Sequence, residues 1–209
     1  MVGMKLYVEG GGDTHLLRTA CRKGFHEFLK KAGLAGCMPR VIACGGRKQA
    51  YDDFCTALCN GESAMLLVDS EGPVDAQFSK EPQKPWQHLK NRPGDQWSKP
   101  TDASDDHCHL MVQCMETWFL ADHQTLKAFF GQGFNGNALP EDSKAIEDVD
   151  KEKVYQSLES ATKKCKTKAP YGKGEHSFKL LEQIDPAKVT EASAWAKRFV
   201  ETLKEQMKP

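Results

Sequence analysis

The sequence predicts an α/β fold, a mainly parallel sheet of about four strands flanked by helices, with a helical C-terminal half. Three observations carry this. Short apolar runs alternate with amphipathic stretches through residues 1–70. The connections between those runs are long enough to hold helices, as parallel strands require. Beyond residue 115 the apolar residues return at helical intervals.

Met4 to Val8 reads as the first strand. From Asp13 to Lys31, residues Leu16, Leu17, Ala20, Phe25, Phe28 and Leu29 mark one face of a helix packed on the sheet, and Gly33 and Gly36 stop it. Arg40 to Cys44 is the second strand. Gly45-Gly46 turns into a helix over residues 48–59, which Asn60-Gly61 ends, and Ala64 to Val68 is the third strand. Residues 71–107 break the alternation with Pro73, Pro82, Pro85, Pro93 and Pro100. A stretch of that kind is often functional, and Trp86 and Trp97 predict that it packs down as an ordered excursion. His109 to Cys114 is the fourth strand. Met115 to Phe130 has the periodicity of one amphipathic helix, and Gly131 to Asn137 is a glycine-rich turn. Val154 to Thr162 and His176 to Ile184 are further helices. Asp185-Pro186 supplies an N-cap with proline at N1, opening a final helix to about Gln206. The chain thus divides into a core over 1–130 and a helical extension over 131–209 packed on it.

Lysine plus arginine and aspartate plus glutamate each number 29, so the net charge is zero. A nucleic-acid binder as a rule carries more positive charge, so any such binding must come from a local patch. No run reaches the ~18 apolar residues of a membrane helix, and Met1-Val2-Gly3-Met4-Lys5 lacks the regions of a secretory signal. The eight cysteines form no Cys-x-x-Cys, and several fall among core positions. They predict reduced thiols in a cytoplasmic protein. His107-Cys108-His109 offers zinc donors, but no second ligand pair stands at the usual spacing.

The chemistry is concentrated where strands end. The first strand runs into Glu9-Gly10-Gly11-Gly12-Asp13, the third into Asp69-Ser70-Glu71, and the fourth into Met115-Glu116. Open α/β sheets build sites at the carboxyl ends of their strands. Carboxylates gathered there repel one another unless a cation holds them, and oxygen donors suit Mg²⁺ or Mn²⁺. Glu9, Asp13, Asp69, Glu71 and Glu116 are therefore the metal candidates. Asp69 and Glu71 would face one ion if the segment stays extended, while Asp13 also reads as a helix N-cap and Glu116 as a first-turn acid. The glycines fit neither a dinucleotide fingerprint nor a P-loop. Lys163 to Gly174 carries five lysines and no acid. Its first four lysines read as a solvated loop, whereas Lys173, between glycines and near His176 and Lys179, is placed to stabilise charge on a phosphate.

These residues resemble a Toprim domain, the family shared by topoisomerases, primases and OLD-type nucleases. Glu9 matches its glutamate after the first strand. Asp69-Ser70-Glu71 matches its Asp-x-Asp, with Glu in the last place. Glu9 to Asp13 resembles the Glu-x-x-x-Glu of OLD-type nucleases, and Glu116 matches a further acid. The chain is more similar still to a bacterial Toprim-like family related to RloB. Val8-Glu9-Gly10, Leu67-Val68-Asp69-Ser70-Glu71, Met115-Glu116-Thr117-Trp118-Phe119-Leu120-Ala121-Asp122 and Tyr171-Gly172-Lys173-Gly174-Glu175-His176-Ser177-Phe178 carry that likeness.

The resemblance implies a Mg²⁺- or Mn²⁺-dependent nuclease, an effector in anti-phage defence working with an AAA- or ABC-type ATPase. Glu9, Asp69, Glu71 and Lys173 would be catalytic, and Lys173, His176 and Lys179 would bind phosphate. Two other expectations stay open: a regulatory or sensor subunit of an ATPase complex, and a nucleotidyl or phosphoryl transferase. Nucleic acid is the expected partner, no membrane contact is expected, and a homo-oligomer is allowed.

Overall fold

The computed structural model describes residues 3–75, 83–141 and 145–208. Its centre is a four-stranded sheet of β1 (Lys5–Val8), β2 (Arg40–Ala43), β3 (Ala64–Asp69) and β4 (Cys108–Met111), in the order β2-β1-β3-β4. Every pairing is parallel, with Lys5 beside Arg40 and Ala64, and Asp69 beside Met111. The fold class read from the sequence is the one observed.

Side-chain alternation divides the interior in two. Leu6, Val8, Met65 and Leu67 point to one face, where they meet α1 (His15–Leu29) and the C-terminal helices. Tyr7, Leu66 and Val68 point to the other, against α2 (Arg47–Cys59) and α3 (Pro85–Asn91). β3 is buried along its whole length, as a central strand covered on both faces must be. The order also fixes the site. From β1 the chain steps outward to β2, then crosses back past β1 to β3, so the connections diverge between β1 and β3. Ligands bind at such switch points, at the strands' carboxyl ends.

The described part of the excursion after β3, from residue 83 on, packs down as the tryptophans predict. Trp97 stacks on Tyr51 with centroids 4.5 Å apart, and Trp86 lies 5.9 Å from Phe54. Pro82 lies outside the described residues.

Several sequence expectations are corrected. Met115 to Phe130 is not one helix. Met115–Ala121 is a 3-10 segment, and α4 (His123–Phe130) starts afresh because Asp122 leaves helical geometry to accept from Thr125 N at 3.2 Å. Its other oxygen takes Asp185 N at 3.1 Å, which ties this break to the C-terminal helices. The final helix is likewise two, α7 (Pro186–Ala192) and α8 (Ala194–Gln206), divided where Ser193 caps the second. Asp13 does not cap α1; Thr14 does, accepting from Leu17 N at 3.2 Å. Helices α5 (Lys151–Thr162) and α6 (Lys173–Leu181) each begin three residues before their expected starts.

The segment after α5 is anchored closely on the turn after α4. Gly133 has φ +95°, and a Cβ there would run into the carbonyl oxygen of Lys164. Gly133→Ala should therefore cost more than about 1 kcal/mol, since the backbone is incompatible with a side chain. Chemical denaturation at unchanged m-value would measure it.

Candidate functional site

Three carboxylates converge at the switch point. One oxygen from each of Glu9, Asp69 and Glu71 lies within 4.8 Å of the others. They form the only such cluster of metal-capable side chains among the described residues. Glu9 is placed by β1 and held by Asp69 N–H and Arg47 Nη1, each donating to its Oε2 at 3.1 Å. Asp69 ends β3, is 4% exposed, and accepts from Met115 N at 2.8 Å. Glu71 arrives by a different route from the alternation the sequence suggests. Its φ is +64°, a left-handed turn that a non-glycine residue rarely adopts. Its N–H donates to Gln113 O at 2.9 Å, so the end of β4 fixes the turn.

Cations the sequence reading missed surround the cluster. Lys151 Nζ stands 2.6 Å from Glu71 Oε1 and 3.6 Å from Asp69 Oδ2. Arg47 also forms a two-point pair with Asp95 at 2.8 and 2.5 Å, lies over the Trp97 ring at 4.9 Å, and donates to Asp69 O. Arg92 bonds Asp95 at 3.1 Å and stands 4.0 Å from Glu71. The excursion thus supplies the residues that aim Arg47 at Glu9.

The charges are unequal in effect. Burial pushes the Asp69 carboxyl well above the usual range, with Glu9 and Glu116 adding to the rise against Lys151 and Lys173. Burial also raises Glu9, with Arg47 opposing and Glu71 assisting. For Glu71, burial is outweighed by the Lys151 hydrogen bond and charge, which hold it below its ordinary value. A compact set of oxygen donors, with no sulfur or imidazole among them, fits Mg²⁺ or Mn²⁺.

Above the acids lies a cleft of about 270 Å³, lined among others by Gly10, Gly11, Leu17, Met115, Lys173 and Phe178. Gly10 pairs with Gly45 through hydrogen bonds of 3.0 and 2.8 Å, closing its rim. A Cβ on Gly45 would come 2.7 Å from Gly12 O, so this rim requires bare backbone. Glu116 also lines the cleft but is fully buried and already occupied. Tyr155 Oη donates to its Oε2 at 3.0 Å, and Tyr171 Oη and Ser177 Oγ both lie 3.2 Å from its Oε1. Burial, with this carboxylate beside them, raises both phenols.

Of the other candidates, Lys173 opens α6 at the cleft, its Nζ 5.5 Å from the Tyr155 ring. Asp13 is exposed and outside both the cluster and the cleft lining. His176 is buried, accepts from Gly172 N at 3.0 Å through Nδ1, and packs edge-on to Phe130. Lys179 is exposed and lines no part of the cleft. The two histidines beside Cys108 are engaged elsewhere, His107 with Ser104 and His109 with Arg198.

No helix among the described residues is long and apolar enough to cross a membrane. The family model described as "Domain of unknown function (DUF4276)" matches residues 8–204, and the chain belongs to that family. No curated protein and no solved structure matches it.

Proposed function

We propose that this member of the DUF4276 family is a divalent-metal-dependent nuclease of Toprim type, related to RloB and to OLD-type nucleases. The observation that carries the reading is the convergence of Glu9, Asp69 and Glu71 at the switch point of a parallel sheet, beneath a cleft that Lys173 flanks. Glu9, Asp69 and Glu71 would hold the ion. A bound divalent cation would activate a water and stabilise the departing oxygen. The water oxygen bonds to phosphorus, the phosphorus–oxygen ester bond breaks, and the leaving oxygen takes up a proton.

The protein's own groups have separate duties. Lys173 offsets negative charge as it grows on the phosphate. The glycine rim lets a phosphate approach the backbone closely. Leu17, Met115 and Phe178 give the cleft an apolar wall. Glu116 positions Tyr155 and Tyr171, and through them the start of α6. Asp13, His176 and Lys179 have no part in this reading. An AAA- or ABC-type ATPase partner and a role in anti-phage defence follow from the family likeness.

One observation favours a second reading, a regulatory subunit of such an ATPase: Lys151 and Arg47 pair directly with the acids. Mn²⁺ titration separates the two. The nuclease should bind Mn²⁺, melt several degrees higher with it, and cleave plasmid, single-stranded DNA or RNA in its presence. Absence of both binding and cleavage, with the candidate ATPase added as well, would reject the nuclease.

A further inference from the structure

The lysines of residues 163–168 lie outside the proposed machinery, yet the fold displays them together on one anchored loop. Helix α5 begins at the acids, where Lys151 touches Glu71 and Asp69. At 1.5 Å per residue it carries the chain about 18 Å away by Lys163. The chain then returns, and by Lys173 it is again at the cleft. Residues 163–170 form a loop at that far end that closes on itself, Tyr171 lying beside Thr162, and Lys163, Lys164, Lys166 and Lys168 on it are all exposed.

This return is built, not loose. Cys165 N donates to Thr162 O at 3.0 Å, Lys166 N to Gln132 O at 3.0 Å, and Thr167 Oγ1 to Phe130 O at 2.9 Å. Tyr171 N donates to Thr162 Oγ1 at 2.7 Å. Lys168 Nζ donates to Phe129 O. Among the described residues, no carboxylate pairs with Lys163, Lys164 or Lys166. In a chain of zero net charge, an anchored strip of cations without carboxylate partners, joined through Tyr171 and Gly172 to the lysine that lines the cleft, is a segregated charge, the footprint of a polyanion.

We propose that this strip is the track for a single-stranded polynucleotide whose end or unstacked nucleotide enters the cleft. This deepens the nuclease reading and rests on it only for what happens in the cleft. Asp69 is nearly buried beneath a cleft of about 270 Å³, which accepts a nucleotide-sized group and no duplex. Single strands offer nucleotides that can be splayed out one at a time, and lysines along a backbone supply affinity without sequence preference.

The test is fluorescence anisotropy with labelled 20-nucleotide thymidylate and uridylate strands and a 20-base-pair duplex. EDTA is present, so no cleavage enters. The variant is Lys163→Gln/Lys164→Gln/Lys166→Gln, three exposed positions. Wild type should bind either strand more tightly than the duplex. The triple variant should bind the strands about tenfold or more weakly at 0.1 M salt, and its salt slope should fall by about two, as ~0.7 is lost per phosphate contact. Equal affinity and slope in the variant overturn the track. Duplex binding as tight as strand binding overturns the single-strand assignment. Polyglutamate competing as well as oligonucleotide at matched charge overturns the nucleic-acid assignment. A lowered slope in a protein that never cleaves leaves the track standing and removes only the nuclease. Normal binding by the triple variant of an active nuclease removes only the track.

Discussion

Replacing Asp69 with asparagine is expected to remove Mn²⁺ binding and metal-dependent cleavage while the metal-free protein stays folded. Asp69 is the central member of the triad, since Glu9 bonds its N–H and Lys151 stands between it and Glu71. Loss of an outer partner costs a metal site about 10–100-fold, so loss of this carboxylate should cost at least ~100-fold in both affinity and rate. Folding should not suffer. Asparagine keeps an oxygen for Met115 N, and it removes a charge that the site holds at a cost. Burial, with Glu9 and Glu116 close by, makes native Asp69 bind its proton more tightly than the unfolded chain does. Its contribution to stability is therefore complete below the ordinary carboxyl pKa of about 4 and is lost as pH rises through the raised native value. Asparagine does not titrate. The metal-free variant should match wild type near pH 4 and melt higher at pH 8, by scanning calorimetry in EDTA. A lower melting temperature at pH 8 would mean that the charged carboxylate holds the fold together, and the loss of cleavage would then say nothing about metal.

That separation of fold from site follows how each is written in the chain. β1 and β3 were legible because apolar residues run without interruption and because glycines and acids punctuate their ends. The acids Glu9, Asp69 and Glu71 were legible for the same reason: strand ends are local events. Glu71 was found on a partly mistaken ground, since a left-handed turn fixed by Gln113, and not an extended segment, brings it round. The breaks at Asp122 and Ser193 are not visible in sequence because apolar periodicity continues through them; each residue caps the helix that follows and is also held by tertiary partners. Asp122 answers to Asp185 and Lys188, and Ser193 to Glu147. The cations were the least legible. Arg47, Arg92 and Lys151 come from a helix start, the excursion and the second half of the chain. In sequence, nothing distinguishes Lys151 from the other lysines near it. His176 reads in sequence as chemistry, a histidine near a lysine, and in the fold its ring is bonded to Gly172 and packed on aromatics.

Lys151→Met carries the second large expected effect, with opposite signs in the two states of the site. Without metal, the Lys151 ammonium is the counter-charge for Asp69 and Glu71, at 3.6 and 2.6 Å. Burial would lower its pKa, but the two carboxylates outweigh that and raise it. The stability this pairing gives is present below the unfolded lysine pKa of about 10.4, hence fully at pH 7.5. Removing one partner of a buried pair costs about 3–5 kcal/mol, and partial exposure of this one reduces that to roughly 1–3 kcal/mol. Methionine preserves most of the apolar stem, so the loss is one of charge. With Mn²⁺ present the sign reverses. A divalent ion entering the triad must move the ammonium aside or bear its repulsion, and in the variant it does neither. Affinity by calorimetric titration should rise on the order of tenfold, about 1.4 kcal/mol, and the melting-temperature gain on adding Mn²⁺ should exceed that of wild type. A variant that is destabilised without metal but binds Mn²⁺ no better would show that Lys151 stands beside the ion's place and not in it. The cleavage rate of the Mn²⁺-loaded variant then has a clear meaning. If it falls despite tighter binding, the displaced ammonium goes to the phosphate, and Lys151 joins Lys173 in offsetting the charge that develops there.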